Sequence, residues 1–387
     1  MSSRRSFLIS SVALALTQVI SGCRSPDAAL KIIFLQGSIP LQLIKEFSLR
    51  LDRSNSVRFQ TKAKLKELFA LLEKSADRTD LRQASNNWLP WQKQNQTIDL
   101  DLISIGDYWL ESAIKKNLIQ PLKLEQLEGW KNLPSSCQKL VKRNFNGQLD
   151  RDGSIWAAPY RWGTMVIIYN AERFEKLGWT PTDWEDLWRE ELRDRISLLN
   201  QPRQVIGLTL KKLGYSFNTL NLKAIPELKS ELLKLQKQVK LYDSTNYLQP
   251  LIVEDTWLAV GWYGDVFPLL KTFPKIKAII PKSGTSLYAD LWVKSAFSRA
   301  NEQDSLLLKW IDFCWQIQQA NEISILTDAI SPIVHTADPS QLIKDIRNNP
   351  LLLPNKSIID RSEFILTLSK EIEQQYLDVW QAMRRAK

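Results

Sequence analysis

From residue 31 onward, short apolar runs alternate with stretches whose apolar positions recur every three or four residues. Lys31-Ile32-Ile33-Phe34-Leu35 is a compact run that Gly37-Ser38 interrupt, and Pro40 opens a segment with Leu41, Ile44, Phe47 and Leu51 at helical spacing. The pattern predicts strand, turn and helix. It recurs at 98–105, followed by Gly106-Asp107 and an amphipathic stretch at 108–118. Runs at 165–169, 256–262, 276–280 and 288–293 predict further strands, and 230–239 and 304–318 predict helices. Such alternation predicts parallel α/β sheets covered on both faces. Sheets of this kind bind ligands beyond the carboxyl ends of their strands, where a turn leads into a helix.

The residues at those ends are Gly37-Ser38, Gly106-Asp107-Tyr108, Tyr160-Arg161-Trp162-Gly163, Trp262-Tyr263-Gly264-Asp265 and Tyr288-Ala289-Asp290. Glycine lets backbone approach a ligand, aromatic rings supply flat walls, and a carboxylate fixes one end of a solute. The chain holds 15 tryptophans, so most of them serve packing, and residue type alone singles out none.

Composition narrows the function more than the fold. With 387 residues, 44% hydrophobic and 24% charged, the chain is long enough for two cores. Its formal charge of +10 is scattered between apolar positions, so no nucleic-acid stripe is expected. The single histidine, His335, lies in a loop-like stretch and reads as a surface side chain. With one histidine and no GxxxxGK, GxGxxG or CxxC motif, no cofactor, metal site or His-based catalytic triad is expected.

The N-terminus reads as an address. Arg4 and Arg5 precede an apolar run from Phe7 to Ile20, too short to span a bilayer, and Ile20-Ser21-Gly22-Cys23 sets small residues before a cysteine. That sequence resembles the lipobox of bacterial lipoproteins, which implies cleavage before Cys23 and a lipid on its sulfur. A lipid chain contributes about 0.8 kcal/mol of membrane attachment per buried methylene. Ser3-Arg4-Arg5-Ser6-Phe7-Leu8 also resembles the twin-arginine export signal, with Ile9 where lysine is usual. Either route ends outside the cytoplasm, in the periplasm or on the outer face of the membrane. Of the cysteines that remain, Cys137 and Cys314 lie among apolar neighbours, and both a disulfide and two buried thiols stay open.

Several segments, in order, resemble the bacterial spermidine/putrescine-binding proteins among the extracellular solute-binding proteins. They are Asp101 through Trp109, Ala158-Pro159-Tyr160-Arg161-Trp162-Gly163-Thr164 on to Tyr169-Asn170, Asp183 through Trp188, Leu213 through Thr219, Gly261-Trp262-Tyr263-Gly264, and Pro281-Lys282-Ser283-Gly284 through Asp290. The resemblance implies an α/β, two-lobed periplasmic-binding-protein fold of type II, with hinged lobes around a central cleft. It implies residues 1–23 as signal, 24–29 as tether, 30–160 with 283–330 as the first lobe, and 161–282 as the second, with 331–387 packing on that second lobe. It implies a monomer that captures a small polar solute, a polyamine foremost, and delivers it to an ABC permease.

The residues that match the family's ligand positions are Tyr108, Trp262, Tyr288 and Asp290. Where the family carries two acids three apart before a helix, this chain has Gln201 and Gln204. Asp107 and Asp265 are candidates to supply compensating charge, and Arg161 could pair with an anion. Two rivals use the same scaffold: a lipoprotein sensor or envelope interaction partner, and an enzyme with Cys137 as nucleophile near Lys139, Lys142 and Arg143. A catalytic thiol needs a lowered pKa, which makes the second rival testable.

Overall fold

The computed structural model describes residues 30–52, 56–84, 100–298 and 304–386. The leader, Cys23 and the tether at 24–29 lie outside them. The first apolar runs become β1 (Leu30–Leu35), β2 (Val57–Lys62) and β3 (Leu102–Gly106), with β1 parallel to both neighbours. β3 is buried throughout, as a strand covered on both faces must be, whereas the edge strand β2 has no fully buried residue. The short strands β4 (Ile119–Gln120), β5 (Lys142–Arg143) and β6 (Ser154–Ile155) follow. Next comes β7 (Ala158–Asn170), thirteen residues all buried. The remaining strands are β8 (Ile196–Leu198), β9 (Val239–Tyr242), β10 (Leu258–Trp262), β11 (Ile276–Ile279), β12 (Ser286–Ser295) and β13 (Glu363–Phe364).

The strand order β2-β1-β3-β12-β7-β10-β8-β9 runs through β7, which belongs to two sheets. Its residues 158–164 pair with β12, and its residues 165–170 lie between β10 and β11. The two lobes of the α/β fold are built on these two sheets. The sheets are mixed rather than parallel, which corrects the sequence expectation. β12 runs antiparallel to β3 and β7, and β10 antiparallel to β7, because chain that crosses from one sheet to the other and returns must reverse direction.

Aromatic side chains fill the first core. Trp292 of β12 meets Phe34 at 6.1 Å and Trp310 at 5.9 Å, and Trp310 meets Phe47 of helix Leu41–Leu49 at 5.0 Å. The stretch expected as one helix at 304–318 is two, Asp304–Trp315 and Ile317–Leu326, separated by Gln316 in extended conformation. On the second sheet, helices Pro202–Lys212 and Leu228–Gln238 carry the C-terminal helix Lys370–Arg385. There the Tyr376 hydroxyl donates to Thr219 O at 2.7 Å and Trp380 packs edge-on against Tyr242 at 5.2 Å. Residues Pro332–His335 form a 3-10 turn against β7 instead, and the Thr336 hydroxyl reaches Asn132 O.

Candidate functional site

A buried charge cluster lies where β7 passes between the sheets. Arg161 and Asp290 are direct cross-strand partners on β7 and β12, so strand register sets their side chains on one face. A bulge between Asp290 and Leu291 follows at once, of the kind that re-aims side chains. Arg161 Nε donates to Asp290 Oδ2 at 2.5 Å and Nη1 to Asp328 Oδ1 at 2.6 Å. Arg161 and Asp290 are buried, whereas the Asp328 side chain is 54% exposed. Burial would lower the guanidinium's pKa, but Asp290, with Asp328 in support, outweighs it and holds Arg161 above its ordinary value. Asp290 Oδ1 is buried with no hydrogen-bond partner among the described residues.

Asp328 reaches the cluster through backbone. Ile330 and Trp162 exchange both amide hydrogen bonds at 2.8 Å, which lays the loop after helix Ile317–Leu326 along β7. Nothing local in Thr327-Asp328-Ala329 marks this acid, which stands 167 positions from Arg161 and was not among the sequence candidates. Only the tertiary path of the loop reveals it.

Two residues from Asp290 on the same face of β12, Tyr288 lies over Gly163, its cross-strand partner. A Cβ at Gly163 would stand 2.4 Å from the Tyr288 ring, so the close approach requires glycine. The other edge of the ring meets Trp262 at 5.4 Å, nearly perpendicular. Trp262 ends β10 and caps helix Tyr263–Thr272. Beneath it, Tyr247 acts as a strut: its hydroxyl accepts from Trp262 N at 3.3 Å and donates to Asp265 Oδ2 at 2.9 Å. The Asp265 carboxyl is raised above the usual range by partial withdrawal from water, against the Tyr247 hydroxyl, with the like charge of Asp328 adding to it. Trp262, Tyr288, Asp290, Asp265 and Arg161 therefore come together, and Asp328 joins them.

Of the other candidates, Asp107 and Gln204 bond to β12. Asp107, at the end of β3, accepts from Ala289 N at 3.1 Å, and its carboxyl is pushed up to about 7, chiefly by burial, with Asp290 adding repulsion. Tyr108 is 64% exposed and touches only Trp109 among aromatic rings of the described residues. Gln201 stands just before helix Pro202–Lys212 as its N-cap, without a side-chain capping bond, and Gln204 lies in its first turn. Gln204 Oε1 accepts from Ser286 on β12 at 3.0 Å, tying the two sheets together. Between them, Arg203 packs over Tyr376 at 4.6 Å and donates to Asn218 and Leu366 O.

Two sequence expectations change. His335 is no surface side chain: its ring packs edge-on against Trp162 at 4.6 Å, and burial pushes its pKa down to about 3. Cys137 is buried, and that burial pushes its thiol up to about 12, the opposite of what a nucleophile needs. Arg143 does not help it, because the guanidinium donates to Leu140 O and Gly147 O, both at 2.8 Å. Cys137 and Cys314 are both free thiols.

Two sheets thus share one strand, with an indole, a phenol and several carboxylates gathered at the seam. The chain belongs to the family of bacterial extracellular solute-binding proteins, which it matches over residues 95–356. It is 26% identical over 264 residues to the spermidine/putrescine-binding periplasmic protein of Salmonella typhimurium, across 68% of this chain and 72% of that protein. Its fold is similar to the spermidine/putrescine ABC transporter substrate-binding protein of Streptococcus pneumoniae, with a TM-score of 0.75 at 19% identity, covering 92% of this chain and 98% of that one. Its fold is also similar to a lipoprotein of Treponema pallidum, with a TM-score of 0.62 at 17% identity, covering 92% of this chain and 99% of that one. The Salmonella and Streptococcus relatives are binding proteins by name, and the family is one of extracellular solute-binding proteins.

Proposed function

We propose that the chain is the substrate-binding component of an ABC-type importer and that it captures a polyamine-like cation at the seam between its sheets. One observation carries the reading: the Trp262–Tyr288 corner, with its rings 5.4 Å apart, lies beside Asp265, Asp290 and Asp328, which together outnumber Arg161. An ammonium leaving water recovers its desolvation only near carboxylates or acceptor rings, and aromatic faces add attraction for a cation. Two of the relatives named above, those of Salmonella typhimurium and Streptococcus pneumoniae, are spermidine/putrescine-binding proteins by name. The lobes of this reading divide near 160 and 283, and strand pairing favours a crossing between Thr164 and Met165 on β7. Export with a lipid on Cys23 completes it, supported by the lipobox-like Ile20-Ser21-Gly22-Cys23.

A thermal-shift screen against polyamines, amino acids and organic anions tests the assignment. A ligand at a hundred times its dissociation constant stabilises a protein by about 2.7 kcal/mol. The expected outcome is a clear rise in melting temperature with amines and none with organic anions. Stabilisation by anions alone would refute the cation reading, and stabilisation by amino acids would turn it toward zwitterions held by the Gln201 and Gln204 amides.

A further inference from the structure

Asp290 is the most buried acid at the seam, 1% exposed, yet it does not wait for a cation from outside. The chain supplies one. Arg161 is its cross-strand partner, so the pairing of β7 with β12 fixes the guanidinium against it, and the same guanidinium extends to Asp328. Arginine's planar fork suits holding two carboxylates at once, and it stays charged under all ordinary conditions. The remaining oxygen, Asp290 Oδ1, can accept a hydrogen bond from a neutral donor. A second full cation there would stand beside Arg161 and be repelled by it.

The charge left for a ligand follows. Asp290, Asp265 and Asp328 against Arg161 leave two negative charges, concentrated at Asp328 and Asp265 on the side of Trp262 and Tyr288. Asp107 adds a third only once it ionises, near pH 7. We infer that Arg161 is a specificity-determining residue: a tethered guanidinium that occupies the place of one ligand ammonium, so that the site selects a dication over a trication. This inference rests on the cation reading above and narrows it. Without Arg161 the same carboxylates would match three positive charges.

The test is calorimetric titration of the purified protein at pH 6 and low salt with 1-aminobutane, 1,4-diaminobutane and spermidine. At that pH Asp107 is largely protonated. The diamine is expected to bind at least tenfold more tightly than either of the others. In Arg161→Gln the ratio of spermidine to diamine affinity should move at least tenfold toward spermidine, while Arg161→Lys, which keeps the charge, should leave the preference for the diamine in place. Melting curves establish that the variants are folded, and should Arg161→Gln fail to fold, the ladder on the unaltered protein decides by itself. Tighter binding of spermidine to the unaltered protein, or an unmoved ratio in folded Arg161→Gln, would overturn the role of Arg161 while leaving amine binding intact. Absence of binding by all three amines would overturn the cation reading and this inference with it.

Discussion

Asp107 shows how one side chain can push folding and binding in opposite directions. Its carboxyl titrates near 7 rather than at 3.8, because burial and the neighbouring Asp290 penalise the charge more than Arg143 and the Ala289 amide favour it. A raised acid binds its proton more tightly in the folded state. Its contribution to stability is therefore complete below about 4 and is lost as pH rises through 7. The ionised form, however, adds a negative charge beside the cation site. Diamine affinity should rise several-fold between pH 6 and pH 8, as measured by titration, while the ligand-free melting temperature declines over the same window. Asp107→Asn should flatten both trends. A sequence reading could nominate Asp107 because it follows a strand, but its proton affinity is set by burial and opposed by the amide of Ala289, 182 positions away, neither of which is local. Asp328 is the stronger example, since its role arises wholly from where a loop is laid.

Among elements, long apolar runs were legible and short ones were not. The run at 165–169 and the aromatic stretch before it proved to be a single strand, β7, continuous through Gly163. β8, with three residues, is too brief to carry a period, and β9 takes over at Val239, where the helical pattern of 230–239 ends one residue early. The helix after Gln201 starts at Pro202, a residue suited to the first helical position, so Gln204 falls within the first turn. Within β7, Gly163 joins fold to site. Gly163→Ala should force the Tyr288 ring aside, cost about 1–3 kcal/mol as overpacking does, and weaken diamine binding at least tenfold. Melting and titration separate these effects. A loss of stability with unchanged affinity would show that Tyr288 does not touch the ligand.

In the whole molecule, the C-terminal helix packs on helices Pro202–Lys212 and Leu228–Gln238 of the second sheet, with Tyr376, Trp380 and Met383 buried. Burying a large apolar side chain contributes about 1.5–3 kcal/mol, so a chain ending at Ser369 should lose about 5 kcal/mol of stability. Hydrogen exchange should register that loss in helices Pro202–Lys212 and Leu228–Gln238, and spare β1 and β3. The general architecture was readable from alternation and from collinear motifs. The direction of the crossing strands was not, because hydrophobic runs look the same in parallel and antiparallel sheets. That crossing has a mechanical result. A single unbroken backbone threaded through both halves lets them swing but forbids them to slide past each other along it. The pivot of such a swing would fall near residues 163–165, where β7 changes partners. Atoms near a pivot travel least, so if the proposed binding involves closure of the two halves, Arg161 and Tyr288 should hold nearly the same pose in both states, which would let a solute be recognised before it is enclosed.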